Sequence, residues 1–183
     1  MAVFKSKPVT SRTELALRGS ALGRAWLKLG KSVPGRVAFS AGYALKAPYF
    51  ATVTPYVRTI EPGRAEVSAP SWFLTHNHIG SLHAIACCNT AEAAMGLVME
   101  ASTPSTHRWL PKGMTVNYLK IIKGGVRTIA HLPEGFDFST ITEGSEVPVH
   151  FQVIDSAGIE VANGTITTWV SPKPLGAAPN QLR

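Results

Sequence analysis

The residue types best suited to chemistry are concentrated in residues 75–92, which read THNHIGSLHAIACCNTAE. This segment holds three histidines, two asparagines, two cysteines and one carboxylate, although charged residues make up only 16% of the chain. Histidine, cysteine and carboxylate side chains bind transition metals and also serve as nucleophiles and general bases. The segment therefore raises three possibilities: a metal site, a catalytic site, or the polar cap of an ordinary helix.

A metal site is the least favoured of these interpretations. His76 and His78 lie two residues apart, as in some metal-binding strands, and His83 could supply a third ligand. Zinc needs three or four converging ligands, and no cysteine or carboxylate lies at a familiar interval from these histidines. Cys87 and Cys88 are adjacent and diverge on a helix, so a disulfide between them would be badly strained. We predict no metal, no cofactor, and two reduced packing thiols in a reducing compartment such as the cytoplasm.

Glu92 is the residue that favours catalysis. It is the only acidic residue before the last turn of SLHAIACCNTAEAAMGLVMEA, an apolar segment that predicts a long helix from about Ser81 to Ala101, with Ser81 as its N-cap. A carboxylate on a buried helix surface is costly unless it is used or paired. The residues alone leave two alternatives: Glu92 activates water as a general base, or it pairs with a basic residue across an interface.

The start of the same helix supplies a complementary group. Backbone N–H groups around His83 and Ala84 have no acceptor inside the helix, so they can donate to an oxygen that becomes negative during acyl transfer. Asn77, just before the helix, could hold a carbonyl or a water. Ala84 and Glu92 are eight residues apart, however, or about 12 Å along a helix. A shared site therefore requires a twofold dimer that places one chain's Ala84 beside the other's Glu92.

The N-terminal part of the chain predicts helices. Residues 11–31 carry one apolar stripe at helical spacing, formed by Leu15, Leu22, Trp26 and Leu29. This stripe is typical of a single amphipathic helix packed on the rest of the domain, and packing is favoured over binding to a membrane surface. A second short helix can follow Pro34, whose ring fits a first helical turn.

The remainder of the chain predicts strands on either side of the long helix. PYVRTI and AEVSA flank Pro62 and Gly63, which suit a type II turn and indicate a hairpin. MTVNYLKII and VRTIAHL are separated by Gly124 and Gly125, which indicates a second hairpin.

The last two predicted strands are VPVHFQVI and IEVANGTITTWV, joined by the turn sequence DSAG. In the first of them, alternate residues share one face: Val147, Val149, Phe151 and Val153. Pro148 predicts that this strand begins late or lies at an edge. The order of helix, two strands, long helix and four strands predicts an α+β domain whose antiparallel sheet wraps around the long helix.

Length and charge limit the classes of function. A chain of 183 residues suits one domain, and no apolar run approaches the roughly 20 residues of a membrane span. A net charge of +7 attracts anions such as nucleic acid, membrane headgroups or a small phosphate-bearing molecule. We expect neither nucleic acid nor a membrane as partner, because the sequence lacks an interleaved aromatic–basic motif and a recognition-helix pattern.

The element order resembles the hotdog fold, and the segment NHIGSLHAIACCNTAE resembles the motif of its small acyl-CoA thioesterases, the phenylacetate-pathway type and their relatives. That motif has an asparagine, a glycine three residues later, a histidine after six, a small residue after seven and an acid after fifteen. Here these positions hold Asn77, Gly80, His83, Ala84 and Glu92 without a gap. The resemblance covers roughly residues 50–171.

The resemblance implies roles for the motif residues. Glu92 would activate water or attack the thioester carbonyl, the Ala84 N–H would polarise that carbonyl, and Asn77 would orient the water or the thioester. His83 would support the turn. The implied partner is an acyl-CoA or another acyl thioester, at a site shared within a homodimer or a dimer of dimers. A hotdog protein that binds acyl thioesters or lipids without catalysis is the alternative.

The chain departs from the family pattern at Ala84, where glycine is usual, and in a basic N-terminal segment that the minimal enzymes lack. We therefore divide it into a basic N-terminal helical extension packed on the domain (1–46), a hotdog domain (47–171) and a C-terminal tail (172–183). The extension adds extra N-terminal helices to the hotdog fold. Three basic residues near one predicted hairpin could meet the phosphates of coenzyme A: Lys120, Lys123 and Arg127. Four apolar residues could line an acyl tunnel: Met95, Met99, Val116 and Tyr118.

Overall fold

The structure is a computed structural model that describes residues 11–174, apart from the side chains at positions 11–13 and 15. Its α-helices are α1 (Ser11–Arg18), α2 (Ala21–Leu29), α3 (Val33–Lys46) and α4 (Ala84–Ser102). Its strands are β1 (Tyr56–Glu61), β2 (Arg64–Ala69), β3 (His107–Tyr118), β4 (Val126–His131), β5 (Ser145–Asp155) and β6 (Glu160–Pro172). Short 3₁₀ helices span Pro48–Val53, Phe73–Thr75 and Phe138–Thr140. The predicted order of helices and strands is confirmed.

The six strands form one antiparallel sheet in the order β1-β2-β4-β5-β6-β3, and α4 packs across it. Helix α4 also contacts α1, α2 and the 3₁₀ helix Pro48–Val53, so it is covered on more than one side. This explains why its sequence is apolar almost all round. The arrangement is the predicted hotdog fold: an antiparallel sheet wrapped around one central helix, with extra helices at the N-terminus.

The N-terminal stripe belongs to two helices, so the prediction of a single helix is wrong. Helix α1 ends before Gly19, and Ser20 caps α2 by accepting a hydrogen bond from the Gly23 N–H at 2.9 Å. A Cβ at Gly23 would lie only 2.0 Å from the Leu17 carbonyl oxygen, so glycine permits this close approach of the two helices. Leu15 lies outside the described side chains. The helix predicted after Pro34 is present as α3 and is 14 residues long.

The described part of the extension shares its core with the sheet. Leu17 of α1 and Phe39 of α3 are buried in the same hydrophobic cluster as the inner faces of α4 and β5. The division at residues 46 and 171 stays a proposal, and most of the tail lies beyond the described residues. Within residues 11–174, no helix has both the length and the apolar character that a membrane crossing needs.

Two of the predicted turns are hairpins. Strands β1 and β2 pair around Pro62 and Gly63, whose φ of +81° fits the left-handed position of a type II turn. Strands β5 and β6 pair directly after one another, as DSAG predicts. The four alternating residues of β5 are buried, as predicted: Val147, Val149, Phe151 and Val153.

The hairpin predicted at Gly124 and Gly125 is wrong, because β3 pairs with β6 and not with β4. Strand β4 has six residues and is already paired with β2 and β5. Strand β6 has 13 residues and offers the 12-residue β3 a partner of matching length. Residues 119–125 therefore carry the chain past the start of α4 to the other half of the sheet, and the Leu82 N–H donates to the Ile122 carbonyl at 3.3 Å on the way.

Pro148 does not delay β5, which begins at Ser145. Its pairing with β6 includes Pro148 opposite Thr167, whereas its pairing with β4 ends at His150. At Pro148, β5 is therefore paired on one side only, with β6. The position is locally an edge of the sheet, so the missing N–H of proline breaks no hydrogen bond to β4.

We expect Phe151→Ala to lower the free energy of unfolding by about 3–5 kcal/mol. The Phe151 ring is 2% exposed and fills the space above Gly164, where a Cβ would come within 2.7 Å of the ring. Removing the ring leaves a cavity between the sheet and α4. Urea denaturation followed by circular dichroism measures the change. Phe73→Ala is the matched control, because Phe73 is 84% exposed and should change the midpoint little; equal losses in both variants would contradict the assignment of the core.

Candidate active site

The loop before α4 positions the start of the helix through its own hydrogen bonds. The Asn77 Oδ1 accepts from the N–H groups of Ile79 and Ser81, both at 3.1 Å, and its Nδ2 donates to the Ser81 hydroxyl at 2.8 Å. Gly80 has a φ of +76°, a conformation that favours glycine, and its N–H donates to the Asn77 carbonyl at 3.0 Å. Asn77 and Gly80 therefore shape this turn.

Helix α4 begins at Ala84, so the prediction that Ser81 is the N-cap is wrong. The N-cap is His83, whose Nδ1 accepts a hydrogen bond from the Ile85 N–H at 3.1 Å. Ser81 is instead held by the side chain of Asn77. The backbone N–H of His83 donates to the Thr75 carbonyl at 2.8 Å and ties the cap to the preceding loop.

The Ala84 N–H is the first of the helix and donates no hydrogen bond to any described residue. Ala84 is half-buried and lies at a cavity of about 360 Å³, which we call the Ala84 cavity. Polar groups of this cavity come from both sides of the helix start: Asn77, Ser81, Tyr118 and Lys120. A helix N-terminus carries partial positive charge, so this free N–H can polarise a carbonyl oxygen.

Glu92 lies eight residues further along α4 and is half-buried. Its carboxylate forms no salt bridge and no hydrogen bond with any described residue. It lies at a second cavity of about 220 Å³, which we call the Glu92 cavity. The other residues of this cavity are mostly apolar or aromatic: Leu22, Tyr43, Ala47, Phe50, Met95, Gly96, Trp109 and Pro111, with Lys46 and Glu100.

The charge of Glu92 acts on Tyr43 across the Glu92 cavity. Burial raises the pKa of the Tyr43 hydroxyl above its ordinary range, and the carboxylates of Glu100 and Glu92 raise it further. The Tyr43 hydroxyl is neutral and donates a hydrogen bond to the Ala93 carbonyl at 2.9 Å. Among the described residues, the surroundings of Glu92 are mostly apolar, and no cation forms a salt bridge with its carboxylate.

The Ala84 cavity and the Glu92 cavity have no residue in common. The structure thus brings Asn77, Gly80, His83 and Ala84 together at the helix start and leaves Glu92 apart from them. This agrees with the 12 Å separation of eight helical residues, because 1.5 Å per residue gives about that distance.

The three predicted phosphate-binding residues have different surroundings. Lys120 lies at the Ala84 cavity, but Arg127 is on β4, where its Nη1 lies 3.4 Å from the Glu66 carboxylate. The Lys123 carbonyl accepts from the Ser156 hydroxyl at 3.4 Å. The predicted hairpin that would bring these residues together is absent, because β3 pairs with β6 and the chain passes the start of α4 before it reaches β4. Their role as phosphate ligands stays a prediction.

The histidines of the loop have separate surroundings. The His76 Nε2 lies 2.8 Å from the Ser71 hydroxyl, and His83 caps α4. Among the described residues there is no group of three metal-binding side chains.

Sequence reasoning missed two features of the site. The first is a contact at the Ala84 cavity, where the Cys88 Sγ lies 3.1 Å from the Tyr118 hydroxyl. The hydrogen bond between these two groups, together with burial, raises the pKa of Tyr118 to about 12. The second feature is the wall of the Glu92 cavity built by α2, α3 and the following 3₁₀ helix. Both join residues that are far apart in the chain, so no local pattern indicates them.

Stability should fall between about pH 9 and pH 12 partly because of Cys87. Burial, with a smaller contribution from Cys88, raises the pKa of the Cys87 thiol from 9.0 to about 12. The unfolded chain releases this proton earlier than the folded one, so the contribution of Cys87 is complete below pH 9 and is lost as the pH rises towards 12. Urea midpoints of Cys87→Ala should therefore decline less steeply than those of wild type.

The control for this measurement is Val98→Ala, which truncates another fully buried side chain of α4 without removing a titrating group. It should lower the midpoint at every pH and keep the wild-type slope. A wild-type slope in Cys87→Ala as well would contradict the assignment.

Solved structures share this architecture. The structural-genomics protein APC5556 is 36% identical, with 83% of this chain and 99% of that chain covered and a TM-score of 0.72. A Pseudomonas aeruginosa protein described as a "probable thioesterase" is 23% identical over 72% of this chain and 91% of that chain, with a TM-score of 0.63. A Staphylococcus aureus thioesterase is 17% identical over 68% of this chain and 99% of that chain, with a TM-score of 0.59.

The domain family described as "Domain of unknown function (DUF4442)" matches residues 35–170, from within α3 to near the end of β6. No curated protein matches the chain. The family match covers most of the sequence, and thioesterase-family proteins are among the structures that share the fold. The chain therefore belongs to the DUF4442 family and has the hotdog fold.

Proposed function

We propose that the protein is a thioesterase that hydrolyses an acyl-CoA or another acyl thioester. The observation that carries this proposal is Glu92: a half-buried carboxylate, free of ion pairs and hydrogen bonds within the described chain, beside an apolar cavity. A structural carboxylate in such a place would be costly. Glu92 takes a proton from the water that attacks the thioester carbonyl, and this proton passes to the departing thiolate as the carbon–sulfur bond breaks, which yields the acid and the thiol. If Glu92 attacks the carbonyl itself, the thiolate leaves with a proton from water, and a water molecule then hydrolyses the mixed anhydride that Glu92 has formed.

The carbonyl oxygen of the substrate accepts a hydrogen bond from the Ala84 N–H, which is unused within the described chain. This donor is held in place by the Asn77–Gly80 turn and the His83 cap. Asn77 takes part through this turn, because both polar atoms of its side chain already bond to Ser81 and Ile79. A positioned N–H of this kind stabilises the negative oxygen of the transition state.

Two chains are needed to assemble this site, since one chain keeps Ala84 and Glu92 in separate cavities. Strand β3 supports a dimer: it is an edge strand, paired only with β6, and its Leu110 is 64% exposed. Apolar side chains are also exposed beside the Ala84 cavity, with Ile79 at 62% and Ile85 at 53%. An open edge and an apolar border favour a homodimer, or a dimer of dimers, with one chain's Ala84 near the partner's Glu92.

Coenzyme A is the carrier favoured by charge. Lys120 lies at the Ala84 cavity and can contact a phosphate group of a thioester bound there. Lys123 and Arg127 stay predictions as phosphate ligands, and Arg127 would have to leave Glu66 to act as one. A cytoplasmic location stays a prediction that rests on the two free cysteines.

Thiol release from a panel of acyl-CoAs, short, long and aromatic, tests the proposal. Analytical ultracentrifugation of the same sample measures its oligomeric state. Turnover by a dimer or tetramer would support a thioesterase site shared between chains. A folded oligomer that releases no thiol from any member of the panel would overturn the proposal for coenzyme A thioesters.

Non-catalytic binding of acyl thioesters is the second candidate. It is favoured by the engagement of Asn77 within its own loop and by the Ala84 methyl group at the position where the resembling enzymes usually have glycine. This alternative predicts saturable binding of an acyl-CoA with no thiol release.

A further inference from the structure

We propose that the N-terminal helices select the acyl group: α2, α3 and the 3₁₀ helix Pro48–Val53 form the outer wall of the Glu92 cavity, which holds an aryl or medium-chain acyl group. This inference rests on the proposed function for the identity of the ligand. The wall is observed in the structure whatever the ligand is. Leu22 comes from α2, Tyr43 from α3 and Phe50 from the 3₁₀ helix.

The opposite side of the Glu92 cavity comes from α4 and β3. This side is lined by Met95 and Gly96 of α4 and by Trp109 of β3. A Cβ at Gly96 would lie 3.0 Å from the Tyr43 hydroxyl oxygen and 3.8 Å from the Trp109 ring. Glycine at this position therefore leaves room on α4 for the Tyr43 hydroxyl of α3.

The outer wall is held firmly against the domain. The Tyr43 hydroxyl donates to the Ala93 carbonyl of α4 at 2.9 Å, and the Tyr43 ring stacks on Phe50 with 5.4 Å between ring centroids. Trp26 of α2 meets Phe39 of α3 edge to face at 5.1 Å, which joins the two helices. A fixed wall of this kind determines the size of the group that fits.

The chemistry of the Glu92 cavity indicates an apolar ligand group with its reactive carbon at one end. Glu92 is half-buried, whereas Lys46 and Glu100 are exposed and leave the interior apolar. A volume of about 220 Å³ exceeds the roughly 150 Å³ of an apolar cavity that holds benzene. An aryl or medium-chain acyl group therefore fits, and a long acyl chain has to extend out of the cavity.

Leu22 provides the test because it lines the cavity from α2 and belongs to no predicted catalytic motif. Wild type, Leu22→Trp and Leu22→Ala are compared with Leu45→Trp, a matched control on α3 at a side chain that is 78% exposed and outside the cavity. We measure kcat/KM for acetyl-, octanoyl-, benzoyl- and palmitoyl-CoA, with melting temperatures to verify folding. Binding of the non-hydrolysable thioether S-octyl-CoA is measured by calorimetry.

We expect Leu22→Trp to lower the octanoyl-to-acetyl ratio of kcat/KM about tenfold or more, the scale on which pockets discriminate between chain lengths. Leu22→Ala should raise the ratio for palmitoyl over octanoyl, and Leu45→Trp should match wild type. Unchanged kcat/KM ratios in both Leu22 variants would overturn the inference. If Leu22→Trp does not fold, an unchanged palmitoyl-to-octanoyl ratio in Leu22→Ala would overturn it.

Calorimetry separates this inference from the proposed function. If wild type binds S-octyl-CoA without hydrolysing any acyl-CoA, the thioesterase proposal fails; weaker binding by Leu22→Trp but not by Leu45→Trp would still support the acyl pocket. Equal affinity in all variants would overturn the pocket whether or not the protein is an enzyme.

Discussion

Replacing Glu92 with glutamine is expected to lower kcat/KM for the best acyl thioester by about 10²–10⁴-fold, the usual contribution of a general base. Glutamine keeps the size of the side chain and removes the group that activates water or attacks the carbonyl. Glu92 makes no salt bridge or hydrogen bond within the described chain, so folding should lose little. Thiol release at saturating and limiting substrate measures the effect.

The matched control is Glu143→Gln, the same change at an exposed carboxylate in the loop before β5. It should retain wild-type turnover. Melting temperatures of both variants should stay close to that of wild type. Hydrolysis by Glu92→Gln at the wild-type rate across the panel would remove Glu92 from the mechanism.

Replacing Ala84 with proline should lower kcat by about 10²–10³-fold, the effect of losing one oxyanion donor. Proline removes the backbone N–H and puts a ring carbon in its place, so the position can no longer donate to a carbonyl oxygen. In wild type this N–H donates to no described residue. The first position of a helix accepts proline well. The preceding His83 has φ −65° and ψ 138°, a conformation that a residue before proline favours. The variant should therefore fold normally and lose activity.

Ala21→Pro is the control for this change, because Ala21 is the first residue of α2 and its cap, Ser20, has a similarly extended backbone. It should leave turnover unchanged. A kcat for Ala84→Pro within about twofold of wild type would contradict the role of the Ala84 N–H, since a lost oxyanion donor has a much larger effect.

Mixing the two inactive variants tests whether the site is shared. In a heterodimer of Glu92→Gln and Ala84→Pro chains, one site combines an intact Ala84 with an intact Glu92 from the partner. Random exchange should therefore restore about one quarter of wild-type activity, since half of the dimers are mixed and each has one intact site of two. No recovery after verified subunit exchange would indicate that both groups act within one chain.

Sequence patterns predicted the fold class because local periodicity reports which surfaces are buried. The alternation Val147, Val149, Phe151, Val153 marks an inward face of β5, and those residues are buried. The apolar character of α4 all round indicated a helix enclosed by other elements, which its contacts with the sheet and the N-terminal helices confirm.

Strand pairing was beyond local patterns. Gly124 and Gly125 correctly indicated that a loop separates β3 from β4, but a loop does not specify which strands pair. The register of β3 with β6 depends on strand length and on the partners that β4 already has. Likewise, the apolar stripe continues from α1 into α2 and does not indicate where one helix ends and the next begins. That boundary depends on the Ser20 cap and on the close approach of Gly23 to Leu17.

The candidate site divides in the same way. The turn from Asn77 to His83 could be predicted from the sequence because its hydrogen bonds join residues at most a few positions apart. The surroundings of Glu92 could not, because Leu22 and Trp109 reach it from distant parts of the chain. By itself, the sequence determined the elements, the helix start and the carboxylate, since local spacing governs these. Only the tertiary structure decided which surfaces enclose that carboxylate, because burial depends on contacts between residues far apart in sequence.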